Sequence, residues 1–136
     1  MPAHSDIYPW PSAYGNFNFF ENKMHGHSKV VSIVKHQIGF YKIVLLGGRI
    51  IRAFVCECYS FGVAEYEETA KKLNGIDVVI INSNWCGYTD EVKLYCRSKE
   101  VGIFNIGAFM AALNTPKFWL YLDEYDKERF EKQGLL

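Results

Sequence analysis

The chain has 136 residues, with fifteen Lys and Arg against fifteen Asp and Glu for a formal net charge of zero. An apolar fraction of 49% and a charged fraction of 22% are those of an ordinary globular protein, which excludes a disordered or fibrous chain. A length of this order suits one domain with a real hydrophobic core, and no apolar stretch approaches the roughly 20 residues that span a bilayer.

The first residues, MPAHSDIYPWPSAYG, lack the basic segment and apolar run of a secretory signal, so a cytosolic location is expected. In that compartment the four cysteines stay reduced. Cys56 and Cys58 lie two apart while Cys86 and Cys96 are scattered, which is not the spacing of a disulfide framework. Residues 1–13 hold three of the four prolines, Pro2, Pro9 and Pro11, and are expected to form an irregular arm.

From Tyr14 to His25, Phe17, Phe20 and Met24 recur at spacings of three and four, which predicts a short amphipathic helix ended by Gly26. Lys29 to Lys35 alternates and is β-branched, a strand by both tests. Gln37 to Leu46 reads as a second strand, Gly47-Gly48 as a hairpin turn, and Arg49 to Cys58 as a third strand, giving an antiparallel meander. The period then changes. Val63 to Leu73 places Val63, Tyr66, Ala70 and Leu73 on one helical face, and Asn74-Gly75 stops the helix.

Asp77 to Asn82 is a continuous apolar run, the mark of a strand buried on both faces. Thr89 is a good N-cap for a helix running to about Lys99, with Asp90 and Glu91 in its first turn and Val92, Tyr95 and Cys96 facing inward. Val101 to Ile106 predicts a short buried strand and Ala108 to Leu113 a last helical turn or two. Beyond Pro116, KFWLYL reads as an edge strand and DEYDKERFEKQ as a charged terminal helix. The strands near residues 80 and 104 flank a helix, so they should be parallel and joined by a right-handed crossover. The expected fold is a three-layer α/β domain with a mixed sheet and helices on both faces.

Charge is distributed unevenly. No acid occurs between Asn22 and Cys56, where Lys23, Lys29, Lys35, Lys42, Arg49 and Arg52 supply six positive charges. Such a half attracts phosphates, although Lys and Arg are also ordinary on the solvent side of strands.

The element order α-β-β-β-α-β-α-β-α, with the segment DVVIINSNWCGYTDEVKLYCRSKEVGIFNIGAFMAAL, resembles the PD-(D/E)XK nuclease superfamily, and within it the Mrr-like restriction endonucleases. In those proteins a buried strand ends in small polar residues, here Asn82 and Ser83. An aromatic and a Thr lead into a helix, here Trp85 and Thr89, and a short strand and final helix follow. The resemblance covers about residues 29–114, leaving 115–136 as an extension of a single domain. It implies a restriction-endonuclease-like fold and a divalent metal, usually Mg²⁺, bound by an Asp on one strand and a Glu-x-Lys on the next. Metal and lysine together activate the attacking water.

On this chain the resemblance puts Glu57 in the place of the family Glu and Tyr59 in the place of the Lys. The preceding strand has no acid. One carboxylate and a phenol do not assemble the usual site of a hard cation. Glu21 on the first helix is the candidate second ligand. The candidate catalytic residues are therefore Glu57, Tyr59 and Glu21, with Glu57 and Glu21 as metal ligands. Lys29, Lys35, Lys42, Arg49 and Arg52 are the candidate phosphate contacts.

Other motifs bear on chemistry. Trp85-Cys86-Gly87 after a strand resembles a thioredoxin-type site, in which a helix N-terminus would lower the Cys86 pKa, but Thr89 stands where a second thiol is required. His25, His27, Cys56 and Cys58 are two pairs of zinc-type ligands at unusually close spacing. Tyr8, Trp10, Tyr14, Phe17, Phe19 and Phe20 suit base stacking, a partner surface, or attachment of the arm to its own domain.

The leading expectation is a catalytically impaired restriction-endonuclease-like domain that binds DNA or RNA, alone, as a homodimer, or within a nucleic-acid-processing or phage-defence assembly. The alternatives are a protein-binding module of the immunity or anti-defence kind, using the acidic second half, and an active Mg²⁺-dependent nuclease.

Overall fold

A computed structural model describes residues 7–12, 16–83 and 86–135. The expectations attached to Pro2, Tyr14 and Trp85 fall outside them. Helix α1 (Asn16–His25) precedes strands β1 (Val30–Gln37), β2 (Phe40–Leu45) and β3 (Ile50–Cys56). A two-residue strand β4 (Ser60–Phe61) leads into α2 (Val63–Leu73), followed by β5 (Val78–Ile81) and a second short strand β6 (Gly87–Tyr88). Then come α3 (Asp90–Arg97), β7 (Gly102–Asn105), α4 (Ile106–Ala112), a 3₁₀ turn (Phe118–Leu120) and α5 (Glu124–Lys132).

The five-stranded sheet has the order β1-β2-β3-β5-β7. β1, β2 and β3 are antiparallel neighbours, while β3 pairs parallel to β5 and β5 parallel to β7. The expected parallel pairing of the strands near residues 80 and 104 is thus present. β4 and β6 form a separate parallel pair that the sequence does not announce, because two residues carry no period.

Tight backbone geometry sets the meander. Gly39 turns β1 into β2 at φ +77°, and a Cβ there would meet the Val55 carbonyl oxygen at 2.5 Å. Only glycine fits both constraints. Gly102 opens β7 with similar economy of space, since a Cβ would lie 2.4 Å from the Phe104 ring.

Alternation along the strands splits the core in two. Tyr41, Ile43, Ile51, Ala53, Val55, Val78, Ile80 and Phe104 face a layer made by Phe20 and Met24 of α1 and by Phe109 and Ala112 of α4. Phe54, Cys56, Val79, Ile81 and Ile103 face Tyr66 and Leu73 of α2 and Val92 and Cys96 of α3. β5 is buried at all four residues because both faces are covered, which is why it reads as an unbroken apolar run.

Caps match the sequence closely. Thr89 Oγ1 accepts from the Val92 amide at 3.1 Å, and Asn74 ends α2 in the left-handed region at φ 57°. Asn105 and Asp123 cap α4 and α5 in the same way, each contribution being about 1 kcal/mol.

The aromatics of the arm and first helix fasten to the domain. Tyr8 stacks on Phe54, Trp10 packs edge-on against Phe54 and Phe61, and Phe17 and Phe20 lie on Tyr41. Among the described aromatics of this set, Phe19 is the exposed one.

The segment KFWLYL is not an edge strand. Phe118 is buried in the α1/α4 layer, and the chain coils around it as a 3₁₀ turn closed by bonds from Leu120 N to Lys117 O and Tyr121 N to Phe118 O. Arg49 holds the preceding turn by donating to the Pro116 carbonyl.

α5 is attached through a buried charge cluster that periodicity does not reveal. Lys93 is fully buried and donates to the Ile103 carbonyl, with its ammonium 3.8 Å above the Phe104 ring and 4.0 Å from Asp126 Oδ2. Asp126, also buried, accepts from Tyr88 Oη at 2.9 Å and from Arg129, which in turn bridges to Asp90 at 2.8 Å. Burial pushes the Lys93 ammonium down from 10.5 to about 8 against the opposing pull of Asp126.

Removing one partner of a buried pair typically costs about 3–5 kcal/mol. Asp126→Ala should therefore lower the unfolding free energy by that order at pH 7 in chemical denaturation. Lys93 holds fewer protons folded than unfolded between about pH 8 and 10.5, so its own effect is to raise stability with pH across that window. The Asp126→Ala deficit should shrink as pH rises toward about 8, where folded Lys93 loses the proton that Asp126 favours, and level off above it. A deficit independent of pH would show that Lys93 and Asp126 are not coupled.

Candidate functional site at the carboxyl ends of the parallel strands

Parallel strands present their carboxyl ends to one side of a sheet, and ligand sites of open α/β sheets gather there. The register sets Cys56, Ile81 and Asn105 side by side at the last rung of β3, β5 and β7. One residue further, Glu57 and Asn82 leave the sheet together, with Asn82 N donating to Cys56 O at 2.9 Å. Alternation from Val55 and Ile80 puts both side chains on the α1 side of the sheet.

Glu57 is 3% exposed. Its Oε2 accepts from Asn16 Nδ2, the first residue of α1, at 2.5 Å, and its amide donates to Trp10 O at 2.8 Å. Asn82 Nδ2 donates to Asn16 O at 2.8 Å and reaches Ser12 Oγ at 3.4 Å. The arm and the start of α1 thus cross over the strand ends and supply an amide to Glu57 and a carbonyl and a hydroxyl to Asn82. Asn82 Oδ1 is buried without a hydrogen-bond partner among the described residues, an orphan acceptor beside a buried carboxylate.

Next to this pair, a cleft of about 400 Å³ opens between the ends of β5 and β7 and helix α5, lined by Cys86, Tyr88, Asp90, Asn105, Asp126 and Arg129 among others. Burial, with the Asp126 carboxylate beside it, pushes the Tyr88 phenol far up, so it acts as a hydrogen-bond donor. The Arg129 hydrogen bond holds Asp90 below the ordinary carboxylate range. Cys86 lines the cleft, but its thiol pKa is raised by burial, with Glu57 adding to the rise, rather than lowered as a redox-type site requires. The thioredoxin comparison also fails locally, because Cys86 leads into β6 and the helix begins only after Thr89.

The structure distributes the remaining candidate residues as follows. Glu21 accepts from Tyr41 Oη at 2.6 Å on β2, so it and Glu57 are held by different partners. Tyr59 is 66% exposed just past β3. Lys42 and Arg52 are directly opposed across β2 and β3, and Arg52 pairs with Asp77 at 3.5 Å. Lys35 lies opposite Tyr41 on the same, α1-facing side of the sheet, 4.8 Å above the Phe17 ring. Arg49 packs over Phe118 and Trp119, and Lys29 is exposed at the foot of β1. The five cations therefore divide between the two faces of the meander.

His27 sits against the Met110 carbonyl and accepts from Lys29 N, whereas Cys56 and Cys58 belong to the α2/α3 core. These residues are in separate surroundings. Among the described residues no group of three or more His, Cys, Asp or Glu side chains is arranged to hold a metal ion. For the divalent metal of the nuclease superfamily, the donor set itself does not fit. One carboxylate bonded to an amide, with a second tied to a tyrosine on another strand, lacks the oxygen ligands that such an ion requires.

Sequence reasoning located Glu57 and Asn82 but missed Asn16, Ser12, Lys93 and Asp126. Nothing local distinguishes a buried Asn or Lys on a helix from a solvated one. No family model, curated protein or solved structure matches this chain.

The thiols give a direct check on this geometry. Burial raises Cys56, Cys86 and Cys96 above the ordinary thiol value of 9, the last to about 12. Iodoacetamide at pH 7.5 should label the native protein slowly, Cys86 first because it is the half-buried one, with a rate still rising beyond pH 9. Rapid labelling of Cys86 that levels off below pH 7 would contradict the assignment.

Proposed function

We propose that this chain is a nucleic-acid-binding domain of restriction-endonuclease-like architecture, in which the cleavage site is reduced to a structural remnant centred on Glu57. One observation carries the reading. Glu57 leaves the central strand of a sheet in which an antiparallel three-strand meander is followed by two parallel strands. That is where the resemblance to PD-(D/E)XK nucleases puts their metal-binding glutamate.

The reduction is chemical. The positions across from the end of β3, near Gly39 and Phe40, carry no acid, and Tyr59 replaces the lysine. With its carboxylate bonded to Asn16 under the arm, Glu57 stabilises the junction of α1 and the sheet and leaves no metal-activated water to attack a phosphodiester. Binding is then the retained activity. Lys29, Lys35, Lys42, Arg49 and Arg52 lie in or beside a meander whose own residues include no carboxylate, a setting that attracts phosphates, with Asp77 facing Arg52 as an opposing charge. Such a domain suits a DNA- or RNA-binding subunit of a larger processing or defence assembly.

Gel-shift titrations with duplex DNA, single-stranded DNA and RNA should show binding that weakens steeply with salt. Each cation that meets a phosphate adds about 0.9 to the log–log slope, so Lys42→Gln should flatten it by about one unit. Absence of binding to all three at low salt sinks the proposal, and co-purification of a basic protein in its place favours the protein-binding alternative. Plasmid incubated with Mg²⁺ or Mn²⁺ should stay intact. Cleavage that vanishes in Glu57→Ala would show that the site is active rather than reduced.

A further inference from the structure

At the opposite end of the sheet, where β3, β5 and β7 begin, lies a second cleft of about 480 Å³. Arg49 and Arg52 enter it from the β2–β3 hairpin and β3, Asp77 from the α2–β5 turn, Lys99 and Glu100 from the α3–β7 turn, and Trp119 from the 3₁₀ segment. This volume falls within the range of about 300–1,000 Å³ typical of small-molecule sites.

The charges in the cleft are not balanced. Asp77 is committed to Arg52, accepting from its amide at 2.8 Å and facing its Nε at 3.5 Å. The Arg52 guanidinium is seated against Gly75, where a Cβ would come within 3.3 Å of Nη1. Arg49 donates to the Pro116 carbonyl and lies 5.0 Å from the Phe118 ring centre and 6.0 Å from that of Trp119. Lys99 lies 4.9 Å above the Tyr95 ring. Neither Arg49 nor Lys99 forms an ion pair among the described residues, and Glu100 is the single carboxylate of the cleft outside the Arg52 pair.

We propose that this cleft binds a nucleoside monophosphate group, with the phosphate taken by Arg49, Lys99 and the outer side of Arg52, and the base laid against the partly buried Trp119 ring. A phosphate fits better than a carboxylate because the cations come from separate elements. A tetrahedral dianion offers oxygens in several directions, whereas a carboxylate is satisfied by one guanidinium in plane. An indole ring supplies the flat apolar surface on which bases stack. The site is remote from Glu57, and it shares Arg49 and Arg52 with the phosphate contacts proposed above.

The same chemistry is presented by a free nucleotide and by the 5′ end of a nucleic-acid strand, and calorimetric titration at low salt separates the two. AMP, a short single-stranded oligonucleotide with a 5′ phosphate, and the same oligonucleotide with a 5′ hydroxyl are titrated in turn, with adenosine and inorganic phosphate as controls. The expected result is saturable binding of AMP, of the phosphorylated end, or of both, with inorganic phosphate competing and adenosine at least about tenfold weaker. Arg49→Gln and Lys99→Gln should each weaken binding by about tenfold or more, the scale of a lost charge-assisted hydrogen bond, while Glu100→Gln strengthens it. Lys99 and Glu100 are exposed, so their variants should leave the melting temperature unchanged, whereas Arg49→Gln also gives up the Pro116 contact and is titrated well below its own melting temperature.

Adenosine binding as tightly as AMP, equal affinity for the two oligonucleotides without AMP binding, or indifference to Arg49→Gln and Lys99→Gln would each overturn the assignment. So would a lack of saturation with AMP and the phosphorylated strand up to about 10 mM.

Discussion

The parallel pairing of β3 with β5 and of β5 with β7 is the constraint on which the rest of the molecule depends. Two crossovers, each carrying a helix, return the chain to the same edge of the sheet, and right-handedness places α2 and α3 together on one face. Because the strands run the same way, three chain segments leave the sheet at one end and three enter at the other. The carboxyl ends gather Glu57 and Asn82, and the amino ends gather Arg52, Asp77 and the α3–β7 turn. Both candidate sites are consequences of strand direction more than of any single motif.

A buried carboxyl group needs hydrogen-bond partners to offset the loss of water. Here the solution is supplied from far away in sequence, by the arm and the first turn of α1. Asn16 contributes its amide to Glu57 and its carbonyl to Asn82, and Trp10 accepts the Glu57 amide while its ring fills the space above Phe54 and Phe61. The same economy appears on the other side of the sheet. There Asp126 of α5 joins Lys93, Tyr88 and Arg129, so that a helix of mostly charged residues is fixed by a few buried contacts and the Phe130 ring. Electrostatic groups of this kind specify position strongly while adding modestly to net stability.

Much of the architecture was legible in the residues. The alternation of the meander, the apolar run of β5, the face of α2 and the Thr89 cap all correspond to observed elements, because each expresses a local period or a local hydrogen bond. The order of elements and the kinship it suggests are sequence readings. What the structure adds in its own right is a mixed α/β sheet with helices on both faces. The failures share a cause. KFWLYL has strand-like composition, but burial of Phe118 coils it into a 3₁₀ turn, a tertiary effect. Cys86 follows a pattern that suggests an activated thiol, yet its surroundings hold the proton on. Lys93 and Asp126 look like two more surface charges until α5 folds back over α3. The Glu57 position was readable, whereas its partners were not, since contacts across 41 residues leave no periodic trace.

The Asn16–Glu57 contact ties helix, arm and central strand at one point. A double-mutant cycle of Asn16→Ala and Glu57→Ala, read by chemical denaturation, measures it. A bond between a buried amide and a carboxylate should give a coupling of about 1.5–3 kcal/mol. Losses that add to within about 0.5 kcal/mol would mean that the two side chains do not meet, and the assignment of the strand ends as a shared site would fall with them.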